Sequence, residues 1–189
     1  MIKTYVIDTN VLIQAPYAIE CFEENNLVLP LVVLEELDGL KKAEGEKGAN
    51  ARAAVRKLES YRQKGDLLQG VKLPGGGILR IEKNFVQVEL PQDIPDDKPD
   101  NRILKVCKGL AETEKEGQVI LVTKDIVLRL KAQILGIRAE DFERERISED
   151  DAQYTGRTEI YFPEEKVKEF KKKGIPLTDA YQSDEEGNR

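Results

Sequence analysis

Four acidic residues fall where a catalytic site would need them. Asp8 ends the short apolar run from Ile2 to Ile7, and Asp125 closely follows the run from Val119 to Val122. Two further acids sit on predicted helices. Glu36 shares a face with Val32, Val33 and Leu40, whereas its neighbour Glu35 shares one with Leu31, Asp38, Gly39 and Lys42, so Glu36 is the inward acid. Asp100 precedes Ile103, Leu104 and Cys107 on another apolar stripe. Carboxylates gathered in one place repel each other. A divalent cation removes that conflict, and oxygen-only sets suit Mg²⁺ or Mn²⁺, which keep waters and accept phosphate oxygens.

Composition excludes the main rivals to carboxylate chemistry. The 189-residue chain contains no histidine, which removes Ser-His-Asp and Cys-His nucleophiles, imidazole bases and His-dependent zinc sites. Cys21 and Cys107 form no C-x-x-C pair and read as small buried residues of a reducing compartment. With 40% hydrophobic and 35% charged residues, a soluble globular domain with perhaps one appended element is expected. An aspartate at position 8 interrupts any secretory signal and no run reaches membrane-spanning length, so the protein is read as cytoplasmic with no membrane partner. The formal charge is −6, but windows 89–100, 140–151 and 178–189 carry more than that excess. The remainder is net positive, and a nucleic-acid partner stays open.

The elements that must position the acids alternate. Strands are predicted at 2–7, 27–29 and 119–122, and helices at 11–14, 31–42, 46–64, 101–115 and 125–134. Between them, 71–73 and 78–81 read as a β-hairpin and 86–90 as one more strand. Such alternation predicts an α/β fold with a mostly parallel sheet. Ligands bind such sheets beyond the carboxyl ends of the strands, so Asp8 and Asp125 should share one edge. Residues 1–145 read as the main domain with a β-rich insertion at 66–98. A connector at 146–177 holds a short strand and a helix, and 178–189 reads as a disordered acidic tail. Bland roles stand beside these: a polar turn for Asp8-Thr9-Asn10, a lysine partner for Glu36, and helix N-caps for Asp100 and Asp125.

The segments Val6-Ile7-Asp8-Thr9-Asn10, Pro30 to Asp38, Asp100-Asn101-Arg102-Ile103-Leu104 and Leu121-Val122-Thr123-Lys124-Asp125 together resemble the PIN domain, a metal-dependent nuclease fold. The resemblance is greatest to the PIN domain at the N-terminus of some bacterial PhoH-like ATPases. It runs from residue 2 to about 142, and Tyr154 to Glu159 looks like that subgroup's continuation. It implies a three-layer α/β/α architecture with a β-hairpin insertion and a C-terminal extension. It further implies that Asp8, Glu36, Asp100 and Asp125 hold one or two Mg²⁺ or Mn²⁺ ions and hydrolyse single-stranded RNA. Thr9 and Asn10 match positions that hydrogen-bond the first carboxylate or a metal-held water. Asp97 or Asp141 would add a water-mediated contact, and Asn101 stands where many relatives carry a second consecutive acid.

Lys41, Lys42, Arg52, Arg102, Lys124, Arg129 and Lys131 are the candidate RNA-phosphate contacts. No aromatic-rich basic stripe is present, so low sequence specificity is expected. No G-x-x-x-x-G-K-[ST] loop occurs, so an ATPase would have to lie in a C-terminal domain of a longer chain. The alternatives are a non-catalytic PIN module that binds RNA or regulates a motor, and a toxin-type PIN RNase. A receiver or phosphatase using Asp8 fits less well, because Asp8-Thr9-Asn10 is not Asp-x-Asp. Assembly into a homo-oligomer is left open.

Overall fold

Along the chain run β1 (Thr4–Ile7), α1 (Thr9–Gln14), a 3₁₀ turn (Pro16–Glu20), β2 (Asn26–Pro30), α2 (Leu31–Leu40) and α3 (Gly45–Arg62). Then follow β3 (Val71–Lys72), β4 (Ile78–Glu82), α4 (Pro99–Thr113), β5 (Val119–Val122), α5 (Ile126–Ile134) and β6 (Arg138–Glu140). The computed structural model describes residues 2–95, 97–113 and 118–142. The predicted connector at 146–177 and acidic tail at 178–189 lie outside the described residues.

The strands form one sheet in the order β3-β4-β2-β1-β5-β6, parallel except for the β3–β4 pair. β1 is central, with Tyr5 opposite Leu27 on one side and Ile120 on the other. Every residue of β1 and β5 is buried, as expected of strands covered on both faces. The chain leaves β1 towards β2 on one side and later returns to place β5 on the other. The carboxyl ends of β1 and β5 thus flank a topological switch point, where open α/β sheets form their binding crevice.

Helices α1, α2 and α3 pack on one another, and α4 packs on β5 and meets both α2 and α5. The apolar stripe read from the sequence of α4 becomes its buried Ile103, Leu104, Cys107 and Leu110. Gly109 belongs to this packing for a steric reason: a Cβ there would come within 2.2 Å of the Phe85 ring. A side chain at that position would displace the loop that brings the chain from β4 to α4.

The structure departs from the sequence reading in four places. The 71–81 hairpin forms as read, but it extends the main sheet, because β4 pairs in parallel with β2. Residues 86–90 form no strand. Both neighbours of β4 are already taken, Phe85 adopts a positive φ of 43°, and the Val88 N–H closes a turn onto the Phe85 carbonyl. Strand β6 and the 3₁₀ turn at 16–20 were not read, being too short for a periodic signal. Both cysteines are free; Cys107 is buried, but Cys21 is only half-buried.

Candidate active site

Asp8 sits one residue beyond β1, where its N–H still bonds the Val122 carbonyl at 3.0 Å. The ladder therefore carries Asp8 to the sheet edge with its side chain almost enclosed, 2% exposed. Its Oδ2 accepts a 2.6 Å hydrogen bond from the Thr123 hydroxyl and a 3.3 Å bond from Asn10 Nδ2. Thr123 in turn accepts the Asp125 N–H at 3.0 Å. Burial pushes the Asp8 carboxyl above its ordinary pKa and the nearby Asp100 charge adds to this, while the Thr123 and Asn10 hydrogen bonds act in the opposite direction.

Glu36 arrives from the adjacent helix. Its neighbour Glu35 is exposed and Glu36 half-buried, as helix spacing required. The Thr9 hydroxyl donates to Glu36 Oε2, tying the start of α1 to α2. Burial raises the Glu36 pKa, and Asp8 and Asp100 raise it further, against the Thr9 bond and the Lys47 charge. Asp100, in the first turn of α4, is the third wall. Asp8, Glu36 and Asp100 line one open cleft of about 300 Å³ together with Thr9, Asn10 and Lys47.

The donor set is hard oxygen throughout, and the Asp100 charge opposes ionisation of both Asp8 and Glu36. Among the described residues, however, no group of three or more His, Cys, Asp or Glu side chains is arranged to hold a metal. A cation that keeps several waters, as Mg²⁺ does, fits such an open set better than one needing a closed protein cage.

The PIN domain family model matches residues 5–143, the span that builds this sheet and cleft. The chain belongs to the PIN domain family. It is 45% identical over 175 residues to Protein PhoH2 of Bacillus subtilis, covering 90% of this chain and 40% of that protein. It is 35% identical over 181 residues to Protein PhoH2 of Thermobispora bispora, covering 94% and 40%. The chain thus spans about 40% of the length of these curated relatives. Among solved structures it is similar to a domain of a functionally unknown protein from Methanocaldococcus jannaschii, with 21% identity, TM-score 0.48 and coverage of 75% and 91%. It is also similar to the PIN domain of human SMG5, with 19% identity, TM-score 0.44 and coverage of 73% and 92%.

In this PIN domain the fourth predicted acid is placed differently. Asp125 caps α5, its Oδ1 accepting the N–H groups of Val127 at 2.7 Å and Leu128 at 3.2 Å, and it is not among the residues lining the cleft. Sequence had allowed both roles, and the cap is the one seen. Asn101 is buried, donating to the Pro95 carbonyl and accepting from Lys131 Nζ at 2.9 Å, so its amide is spent on packing α4 against α5. Asp97 is exposed, and Asp141 pairs with Lys124 at 3.2 Å and Arg129 at 3.0 Å. Burial is the largest single influence and raises its pKa, but the hydrogen bonds and charges of Arg129 and Lys124 together outweigh it and hold the carboxyl below its ordinary value.

None of the predicted phosphate contacts lines the carboxylate cleft. Lys41 pairs with Asp38 at 2.5 Å, Arg52 donates to the Lys41 carbonyl at 2.7 Å, Lys42 is exposed and Arg102 is half-buried on α4. The cleft uses two residues that sequence reasoning did not single out. Thr123 was visible only as part of the motif ending in Asp125, and Lys47 was one exposed charge among many in a basic helix. Among the described residues, no helix is long and apolar enough to cross a membrane.

Proposed function

We propose that this PIN domain is a divalent-metal-dependent ribonuclease that hydrolyses single-stranded RNA. The observation that carries the reading is the convergence of Asp8, Glu36 and Asp100, from three separate elements, on one cleft at the switch point of the sheet. Those carboxylates would hold Mg²⁺ or Mn²⁺, with Asp125, linked to Asp8 through Thr123, contributing from outside the cleft lining. When bound, the cation supplies an acidified water and offsets charge on the scissile phosphate.

The chain's own part is positional. Thr123 and Asn10 orient Asp8, and Thr9 orients Glu36, so both carboxylates are fixed before substrate arrives. Lys47 brings the cleft's positive charge to bear beside Glu36. The chemistry requires neither histidine nor the RNA 2′-hydroxyl, so products carry a 5′-phosphate and a 3′-hydroxyl, and preference for RNA comes from binding. In chains of the relatives' length, a C-terminal PhoH-like ATPase domain is the proposed partner.

A labelled single-stranded RNA incubated with the protein and Mn²⁺ or Mg²⁺ tests the reading. Cleavage that stops with chelator and in Asp8→Asn supports it; cleavage surviving both defeats it. The second reading is a non-catalytic RNA-binding module that uses the same cleft. RNA binding without cleavage in either metal would select that alternative.

A further inference from the structure

The carboxylate cleft continues beyond its acids. Ile13 and Lys47 line it and also line a second opening of about 520 Å³, whose other walls are Gln14, Glu46, Lys124 and Phe142. The two openings therefore form one trough with Lys47 and Ile13 at the junction. Lys47 is exposed and pairs with no described residue, yet it lies close enough to Glu36 to favour that carboxylate's charge. Lys124 is held in the far wall by Asp141 at 3.2 Å. Arg129 shares the same carboxylate, so this cluster keeps one excess positive charge. Phe142 is partly buried, its ring 6.2 Å from that of Phe22, and it lines the trough.

We propose that this trough seats the nucleotide adjoining the scissile phosphate: Lys47 contacts the phosphate at the junction, and Ile13 and Phe142 receive the flanking base. The inference rests on the reading of the cleft as a site for single-stranded RNA. Cation, then apolar and aromatic surface, then cation is the order in which a single strand presents phosphate, base and phosphate. Glu46, which also lines the opening, disfavours a second phosphate there and, with Gln14, offers hydrogen-bond partners to a base edge. A duplex keeps its bases stacked inside and has none to insert, so the trough itself selects for single strands. It also supplies the aromatic and basic surface that no contiguous stretch of sequence displays, because its residues come from positions 13–14, 46–47, 124 and 142.

The test is the affinity of the whole chain for a fluorescein-labelled single-stranded RNA of ten nucleotides. Anisotropy is read across a salt series, with Ca²⁺ replacing Mg²⁺ or Mn²⁺ to keep the RNA intact. Lys47→Gln is expected to weaken binding about 5–10-fold and to reduce the salt slope by roughly 0.7, one phosphate contact on a single strand. Phe142→Leu, which keeps apolar volume against Phe22, is expected to weaken binding about 10-fold with the salt slope unchanged. Lys72→Gln, an equal charge loss on β3, should leave affinity as it is.

Affinities of Lys47→Gln and Phe142→Leu within about two-fold of wild type, or an equal loss in Lys72→Gln, would overturn the proposal. Should Phe142→Leu fail to fold, photo-crosslinking of wild type to RNA carrying 5-iodouridine beside the cleavage position decides. Attachment at Phe142 supports the trough, and attachment only outside its residues refutes it. Wild type that neither binds nor cleaves single-stranded RNA removes the reading of the cleft itself. Wild type that cleaves while both variants bind normally removes the trough alone.

Discussion

The Thr123 hydroxyl donates a 2.6 Å hydrogen bond to Asp8 Oδ2 across 115 positions of sequence, with both side chains buried. An ionised Asp8 carboxylate can only accept, so the Thr123 proton goes to it while Thr123 Oγ1 accepts the Asp125 N–H, and the pair locks β1 to β5 at the switch point. Thr123→Val keeps the shape and removes the hydroxyl. RNA cleavage should fall roughly 10–100-fold, and stability by about 1–3 kcal/mol, because the Asp125 N–H loses its acceptor. Thr123→Ser should retain most of both. Single-turnover cleavage and urea unfolding of the two variants check this, and equal activity in Val and Ser would remove Thr123 from the site's support.

Asp8→Asn should separate stability from activity. The folded-state pKa of Asp8 is raised, chiefly by burial, so its charged form costs stability wherever the pH exceeds that value. The cost begins to shrink as pH falls through the raised folded pKa, when the folded state takes up the proton, and is gone below the unfolded value. In metal-free buffer at pH 7, Asp8→Asn is therefore expected to raise Tm, by about 2–4 °C for each ~1 kcal/mol of relief in a domain of this size. The gain should shrink on acidification, while cleavage is abolished. A lowered Tm at pH 7 would show that the lost charged hydrogen bonds outweigh desolvation.

The site was legible where side-chain chemistry and strand order coincide. Asp8 could be placed because a carboxylate directly ends an apolar run. Glu36 was separable from Glu35 because only one of two adjacent helix positions can face inward. Lys47 and Phe142 were not legible, since nothing local distinguishes an exposed lysine in a basic helix, or a phenylalanine after a three-residue strand, from ordinary surface. The extra strand read at 86–90 failed for a related reason. Alternation at Val86 and Val88 is a local signal, whereas strand formation also needs a free neighbour, and β4 had none left.

Asp125 serves as a cap in the structure and as a metal ligand in the family resemblance, and substitutions can separate the two. Asp125→Asn retains an acceptor for the Val127 and Leu128 N–H groups, so Tm should stay close to wild type, while Asp125→Ala should lose about 1 kcal/mol. With Asp125 outside the cleft lining, Asp125→Asn is expected to keep cleavage within about ten-fold of wild type, far above Asp8→Asn, the size of a lost peripheral contact rather than a lost catalytic group. Inactivation of Asp125→Asn as complete as that of Asp8→Asn, at unchanged Tm, would establish direct metal ligation instead.

Away from the cleft, Glu20 sets how the fold responds to acid. It accepts from the buried Tyr61 hydroxyl and pairs with Lys57 at 2.7 Å, joining the 3₁₀ turn to α3. Although burial opposes it, these partners together lower the Glu20 pKa below its reference of 4.5. A depressed carboxylate pKa gives stability that is present above the unfolded value and lost as pH falls through the folded one. Tyr61 has the opposite sign: burial first, and Glu20 second, raise its pKa, so its contribution is present below the unfolded value of 10.0 and is lost at higher pH. Glu20→Gln should therefore lower the urea midpoint at pH 7, by about 1 kcal/mol in free energy. It should also flatten the loss of stability below pH ~4.5 and shrink the alkaline loss, since Tyr61 is then free of the Glu20 charge and its folded pKa lies closer to the unfolded value. Parallel pH profiles for wild type and Glu20→Gln would show that the triad adds nothing to stability.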